Sequence, residues 1–487
     1  MESNFSNPGR APVTRAGVDS RSRPGPSANA IAESAIFWLF LGALAWTPFW
    51  YGSNVLVAWG VNAVLFPGLA ALYEVSILIR RDSHPIGIRK LAIPAALFLA
   101  VVLWIVFQNI SWDHSPLAHP IWAMAADALE RPVRGSISVN RDLTTLALLR
   151  LITAASVFWV AVQLCRNGTR ANVLIISVAV IVCLYAAYGL MIFALNAGGV
   201  SWLEISAKND FVTSTFINRN SFATFAGIGL VAICGMILQV YRDRLSTHGG
   251  QWRIRIASFI ETTGQEGAAL LGGAFVILVA LLLTGSRGGI IATGFGLLIL
   301  GVLTFAPGKR FRPVEAMIAG AVLVTVTLLA FGDVFIGSIA ERGVSDAGRM
   351  AVYMITLRSI FDMPWLGYGY GTFADVFPMY RDRSIGVQGT WEQAHNTYLE
   401  VFQGLGLVFG TMLVACVLLL VLCCIRGAIT RQRNVTVPRV AAAAAFLVGM
   451  HALVDFSLQI QAVALTFIAV LGAGVAQSES SRLALND

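Results

Sequence analysis

Residues 268–305 read AALLGGAFVILVALLLTGSRGGIIATGFGLLILGVLTF. Two apolar runs, each close to the ~20 residues that carry a helix through ~30 Å of hydrocarbon, are separated only by Thr284-Gly285-Ser286-Arg287-Gly288. Strands are the other way to cross a bilayer, but barrels show alternating segments of about ten residues, not long continuous runs. The stretch therefore predicts two membrane helices joined by a tight break that holds an arginine.

The same pattern extends outward in both directions. Hydrophobic residues make up 57% of the 487 and charged residues only 12%, about half the charged share of a soluble domain. Spans are expected near Ala35–Gly52, Val55–Ile79, Leu91–Gln108, Thr144–Leu164, Val173–Leu195, Phe222–Tyr241, Ala268–Thr284, Gly289–Phe305, Ala316–Phe331, Tyr398–Cys424, Val440–Leu458 and Ala462–Ala476. The expected fold is all-α, a polytopic integral membrane protein of about twelve transmembrane helices. Residues 1–34, rich in Ser, Pro, Gly and Arg, read as a disordered cytoplasmic tail; no apolar core with a small-residue cleavage site follows closely enough for a signal peptide. Spans one to nine fill residues 35–331 and a long periplasmic loop fills 332–397. The last three spans fill 398–476, ahead of a second cytoplasmic tail at 477–487.

Orientation follows from lysine and arginine. With the N-terminus inside, Arg10, Arg15, Arg21, Arg23, Arg80, Arg81, Arg89, Lys90, Arg166, Arg170 and the later clusters ending in Arg439 and Arg482 all fall inside. That is roughly two thirds of the 34 basic residues, on the short loops where the positive-inside rule operates. Both termini are then cytoplasmic. The net charge of +8 is a topology signal, dispersed over many loops, and gives no argument for nucleic acid. The six cysteines fall within spans or at their inner ends, so no disulfide is expected. No CxxC and no His/Cys cluster with ligand spacing is present, so no metal and no cofactor is expected.

The outer face carries the unusual residues. Its two long segments are about 109–143 and 332–397. In the second, RMAVYMITLRSIFDM predicts a helix with Met350, Met354 and Leu357 on one apolar stripe, suited to the membrane surface or the bundle. Pro364 stops it, and Gly367, Gly369 and Gly371 in WLGYGYGTF predict a flexible, aromatic-rich turn. Arg287 sits at the break of the opening pair, and Arg219, in FINRNSFATF, just before a span. A charge at membrane depth costs roughly 2.5–3.5 kcal/mol, so such residues usually face a polar cavity. Snorkelling to the interface is the ordinary alternative; at Arg287 the neighbouring Gly288 and Gly289 favour a concavity suited to an anion. His451 and Asp455, spaced i, i+4, are expected on one helix face, as a functional pair or as a buried polar contact between helices. Trp112, Trp365, Tyr368, Tyr370 and Trp391 read first as interface aromatics.

The T-G-S-R-G-G break and the downstream block R-M-x-x-Y…P-W-L-G-Y-G-Y-G-T-F…H-N-T-Y-L-E, from Arg349 onward, resemble the signature of the O-antigen ligase and O-antigen polymerase superfamily. The resemblance runs over about residues 218–471 and does not separate ligases from polymerases. It implies a glycosyltransferase of the inner membrane that takes a glycan from an undecaprenyl-diphosphate carrier on the periplasmic face. The glycan is joined to a hydroxyl of a glycan or lipid acceptor, without a metal or a nucleotide-sugar, in lipopolysaccharide or exopolysaccharide biosynthesis. Other polysaccharide-assembly proteins are further candidate partners.

Such chemistry needs recognisable groups. A diphosphate leaves well once its charge is neutralised, and the planar arginine fork binds phosphate oxygens bidentately at any relevant pH. Arg287 and Arg219 are the first candidates, with Arg349, Arg381 and Arg383 as helpers. The attacking hydroxyl needs a general base, and His395, at a junction of loop and span, is the candidate. Without the resemblance, a histidine before Asn396 reads as a cap or packing residue. Asn396 is expected to cap the next helix, and Glu400 to orient the chain or act as a second base. Asp455 is a further helper. In-line displacement would invert the anomeric centre. Two readings of another class stay open: a small-anion transporter with an arginine-lined cavity, and a structural subunit of a glycan export complex. Against transport, no paired Gly/Pro-broken spans recur in matching halves.

Overall fold

A computed structural model describes residues 28–113, 115–195, 211–246, 264, 267–305, 347–385 and 390–479. Most of the first tail, the span expected at Ala316–Phe331, the start of the long loop and the end of the second tail lie outside the described residues. Within them the chain is helical, and the helices are α1 Ala28–Trp46, α2 Leu56–Arg80, α3 Ala92–Asn109, α4 Ile121–Ala128 and α5 Arg141–Leu164. They continue as α6 Gly168–Ala194, α7 Arg219–Ser246, α8 Ala268–Leu283, α9 Arg287–Phe305, α10 Ala347–Asp362, α11 Phe373–Tyr380, α12 Thr397–Thr430, α13 Thr436–His451 and α14 Gln461–Ser478.

Among the described residues, 8 helices are long and apolar enough to cross a membrane, and shorter apolar helices lie at Ile31–Trp46, Ala268–Leu283 and Thr436–His451. The chain is a multi-pass membrane protein. In α7 and α14, 83% of the apolar window is buried, against 22% to 39% in the other six. These two helices therefore form the centre, and a helix buried on all sides needs no polar face. Around them α9 packs on α13 and α7, α13 on α14, α14 on α5, and α12 on α3.

The two ends of the bundle differ in chemistry. At one end Glu33 of α1 pairs with Arg80 at 2.9 Å and Arg170 at 2.8 Å. There too Arg166 donates to the carbonyl of Glu479 at 2.9 Å. These basic residues are the ones whose spacing predicts a cytoplasmic end.

Of the two placements open to the α10 stripe, the outward one is observed: Met350 and Met354 are exposed and Leu357 is half-buried, while Val352, Ile355 and Ile360 are buried. Two local expectations need correction. The glycine turn after α10 is docked, not loose. Its backbone lies directly on a kink in α12, where Gly406 has φ 75 and ψ 170, through Gly369 N to Gly404 O at 3.1 Å and Leu407 N to Pro364 O at 2.7 Å. A Cβ on Gly367 would lie 2.5 Å from Gly404 O, so the contact requires glycine. Finally, the apolar run expected at Val440–Leu458 is no continuous helix: α13 ends at His451, and Asp455 sits in the turn before a short 3-10 helix, Ser457–Gln459. His451 and Asp455 do not share a helix face.

Candidate functional site

Three helix starts build the site. Asn218 accepts from Asn220 N at 2.7 Å at the start of α7. Ser286 accepts from Gly289 N at 3.2 Å at the start of α9, and Asn396 from Leu399 N at 3.1 Å at the start of α12, the cap its sequence predicts. Each cap satisfies an orphan amide and leaves the positive end of a helix dipole facing the same region.

The turn between α8 and α9 lies against Arg219. A Cβ on Gly285 would lie 3.4 Å from a terminal guanidinium nitrogen of Arg219, and that guanidinium covers the Phe211 ring at 3.9 Å. The ring face attracts the cation. Arg287, two residues beyond Gly285, opens α9 half-buried. Next to it, a Cβ on Gly288 would stand 3.0 Å from His451 Nε2, and His451 Nδ1 lies 2.5 Å from Thr224 Oγ1 on α7. The glycines after Arg287 thus permit close approach by α13.

His395 stands at the facing helix start, in a left-handed conformation at φ 54. Phe456 and Trp391 pack edge-on against its ring at 4.9 and 5.8 Å, and Tyr353 donates its hydroxyl proton to the His395 carbonyl at 2.9 Å. Nδ1 is 3.7 Å from Asp455 Oδ1, within ion-pair reach but too long for a hydrogen bond. Asp455, whose side chain is 1% exposed, also accepts from Asn220 Nδ2 at 3.1 Å and from the Ser457 hydroxyl. Burial pushes its carboxyl up, but His395, His451, Ser457 and Asn220 together hold it below the usual carboxylate range. Thr397 N bonds to Ala452 O at 2.9 Å, which locks the His395 segment to the Asp455 turn.

The remaining expected residues divide. Arg349 donates to Val454 O at 3.2 Å, beside Asp455. Arg381 is half-buried in the loop after α11, and Arg383 is exposed there; no contact among the described residues joins Arg383 to the His395 cluster. Glu400 serves as a brace. One oxygen accepts from Ala394 N at 2.5 Å and the other from the Gln459 amide, so one carboxylate grips the segments bearing His395 and Asp455.

Sequence reasoning missed Arg150. Its guanidinium lies over Trp59 at 4.5 Å and donates to the carbonyl of Gln459. An arginine inside the apolar run LALLRLITAA was the available signal. Gln459, Ser457 and Thr224 gave none, because their roles come from contacts distant in sequence. Trp365 is exposed, whereas Tyr368 is fully buried and donates to or accepts from Tyr380 at 2.5 Å. Among the described residues no group of three or more His, Cys, Asp or Glu is placed to hold a metal ion.

No curated protein matches the chain. Residues 272–415 match the family model described as O-antigen ligase, a segment that contains Arg287, His395 and Glu400 while Arg219 and Asp455 complete the cluster from outside it. Over that segment the chain is similar to the O-antigen ligase family.

Proposed function

We propose that the chain is a glycan transferase acting at the periplasmic face of the bacterial inner membrane, with an undecaprenyl-diphosphate-linked glycan as donor and a hydroxyl as acceptor. What supports this most is the juxtaposition of Arg219 and Arg287, at the starts of α7 and α9, with the His395–Asp455 pair. Two guanidiniums and two helix N-termini offer fixed positive charge to a diphosphate. Because they are oriented in advance, they stabilise the charge that grows on the leaving oxygen without reorganisation.

In the proposed step the acceptor oxygen attacks the anomeric carbon while its proton passes to His395. The bond from that carbon to the carrier's phosphate oxygen breaks, and the diphosphate leaves with the electron pair. Nδ1 faces Asp455, so the ion pair grows stronger as the ring becomes cationic, and Nε2 takes the proton. One displacement inverts the anomeric centre. Arg349 ties α10 to the Asp455 turn.

The test uses full-length protein in nanodiscs with an undecaprenyl-diphosphate-linked oligosaccharide. His395→Ala is expected to lower kcat about 10²–10⁴-fold with donor KM little changed. Arg287→Ala is expected to raise donor KM as well. Full rates in both variants would overturn the assignment, and anion flux without glycan product would favour the transporter. Growth of the glycan on its own carrier identifies a polymerase; transfer only after a second acceptor is added identifies a ligase.

A further inference from the structure

His451 has no task in the proposed step, yet it stands among the groups that perform it. It closes α13 with 2% of its surface exposed. Its Nδ1 lies 2.5 Å from Thr224 Oγ1 on α7. The opposite edge of the ring meets α9: a Cβ on Gly288 would lie 3.0 Å from Nε2 and 3.1 Å from Cδ2. Gly288 follows Arg287 in the first turn of α9, where amides have no partner within the helix and the dipole end is positive.

The two ring nitrogens are not equivalent. Thr224 Oγ1 also donates to the carbonyl of Asn220 at 3.1 Å. A hydroxyl has one proton and two lone pairs. Both contacts are therefore made when Oγ1 gives its proton to Asn220 and accepts from Nδ1–H. In the neutral ring Nε2 then carries the lone pair. Nε2 makes no hydrogen bond among the described residues, and unlike the sealed Nδ1 of His395 it is not closed off by its surroundings.

A lone pair facing a phosphate oxygen repels it, whereas a proton on Nε2 turns the same contact into a charge-assisted hydrogen bond. The charged or titratable groups on the elements around the ring are Asp455, Arg349, Arg287, Arg219, His395 and Glu400. The three arginines oppose a further positive charge while no anion is bound. A diphosphate beside them reverses the sign of the local field and joins Asp455 in favouring the imidazolium. All three polar contacts of the ring and of Thr224 are then satisfied together.

We infer that His451 is a third diphosphate-binding group beside Arg219 and Arg287, and that it takes up a proton at Nε2 as the carrier's diphosphate binds. The inference rests on the transferase reading. The proton comes from water, is shared in a hydrogen bond with a phosphate oxygen, and returns to water when the diphosphate leaves. No bond of the donor breaks in this step.

Full-length protein in nanodiscs is titrated calorimetrically with farnesyl diphosphate at about pH 7.5, above the ordinary imidazole range. Parallel titrations in Hepes and in Tris, whose ionisation enthalpies differ, give the protons taken up on binding. Wild type is expected to take up more protons than His451→Gln, by close to one per diphosphate bound. His451→Leu is expected to lose that uptake and about 10–100-fold in affinity, the worth of a hydrogen bond to a charged group. His451→Gln, whose amide can still donate from the place of Nε2, is expected to lose the uptake but to recover most of the affinity. Equal uptake in wild type and His451→Gln, or equal affinity in all three proteins, would overturn the inference. So would equal losses of affinity in the two variants that follow their thermal midpoints, the result expected of a ring that only packs α13 against α9. Transfer from an undecaprenyl-diphosphate-linked oligosaccharide on the same samples separates the two readings. Uptake that depends on His451 without any transfer removes the reaction and keeps the diphosphate site; transfer with uptake unaffected by His451→Gln does the reverse.

Discussion

Gly288 has no side chain, and the imidazole of His451 occupies the space that one would fill. A methyl there would meet Nε2 at 3.0 Å and Val454 Cγ2 at 3.3 Å, inside ordinary contact distance, so Gly288→Ala must displace either α9 or the His451 ring. Overpacking of this kind costs about 1–3 kcal/mol. The expected result is a lower thermal midpoint together with a raised donor KM, because Arg287 moves with the start of α9. A variant with wild-type midpoint and kinetics would show that the two helices are not rigidly apposed. Asp455 offers a test against pH. Its folded carboxyl is held below the usual range, so its stabilisation is complete above the unfolded value of about 3.9 and is lost as pH falls through the lower folded value. The stability difference between wild type and Asp455→Asn should therefore be smaller at about pH 3 than at about pH 5. A larger difference at the lower pH would contradict the assignment.

Helices α12 and α13 show what hydropathy reads and what it does not. Bilayer thickness fixes the length of an apolar run, so most spans, the break at Arg287 and the Asn396 cap are visible in the sequence. The turn after His451 is not. Residues 452–460 hold neither glycine nor proline, and the run stays mostly apolar, so nothing local announces that the helix stops. Its cause is tertiary: Asp455 leaves the helix to meet His395, Asn220 and Ser457. The kink of α12 was equally hidden, since Gly406 takes its conformation from the backbone of Pro364 and Trp365 packed against it. An alanine there would keep φ 75 and ψ 170 only under strain, with its Cβ 2.5 Å from Trp365 O. Gly406→Ala should cost about 1–3 kcal/mol or more. Because the kink carries the glycine turn, limited proteolysis should then cut first between α10 and α11. Unchanged proteolysis and midpoint would mean that the turn docks without the kink.

On the scale of the whole bundle, charge is sorted between two ends, and each end does a different job. At the end opposite the candidate site, paired charges fasten helices to one another. There Glu33 joins three elements by accepting from Arg80 at the end of α2 and Arg170 at the start of α6. The side chains of Glu33, Arg80 and Arg170 are 27%, 10% and 18% exposed, so solvent screens the pairs only partly. The positive-inside pattern locates these arginines from sequence, but not the acid between them, because Glu33 lies in a stretch that reads as tail. Glu33→Gln keeps the shape and removes the charge, leaving two partly buried guanidiniums to repel each other. The expected loss is about 1–3 kcal/mol of stability, read as a lower thermal midpoint in nanodiscs, with kcat and donor KM at a permissive temperature unchanged. In a double-mutant cycle with Arg80→Gln the two losses should sum to more than the double mutant shows, since each single change already breaks the shared pair. Strict additivity would mean that Glu33 acts through Arg170 alone. A change in kcat would mean that the two ends are mechanically coupled through the central helix α14.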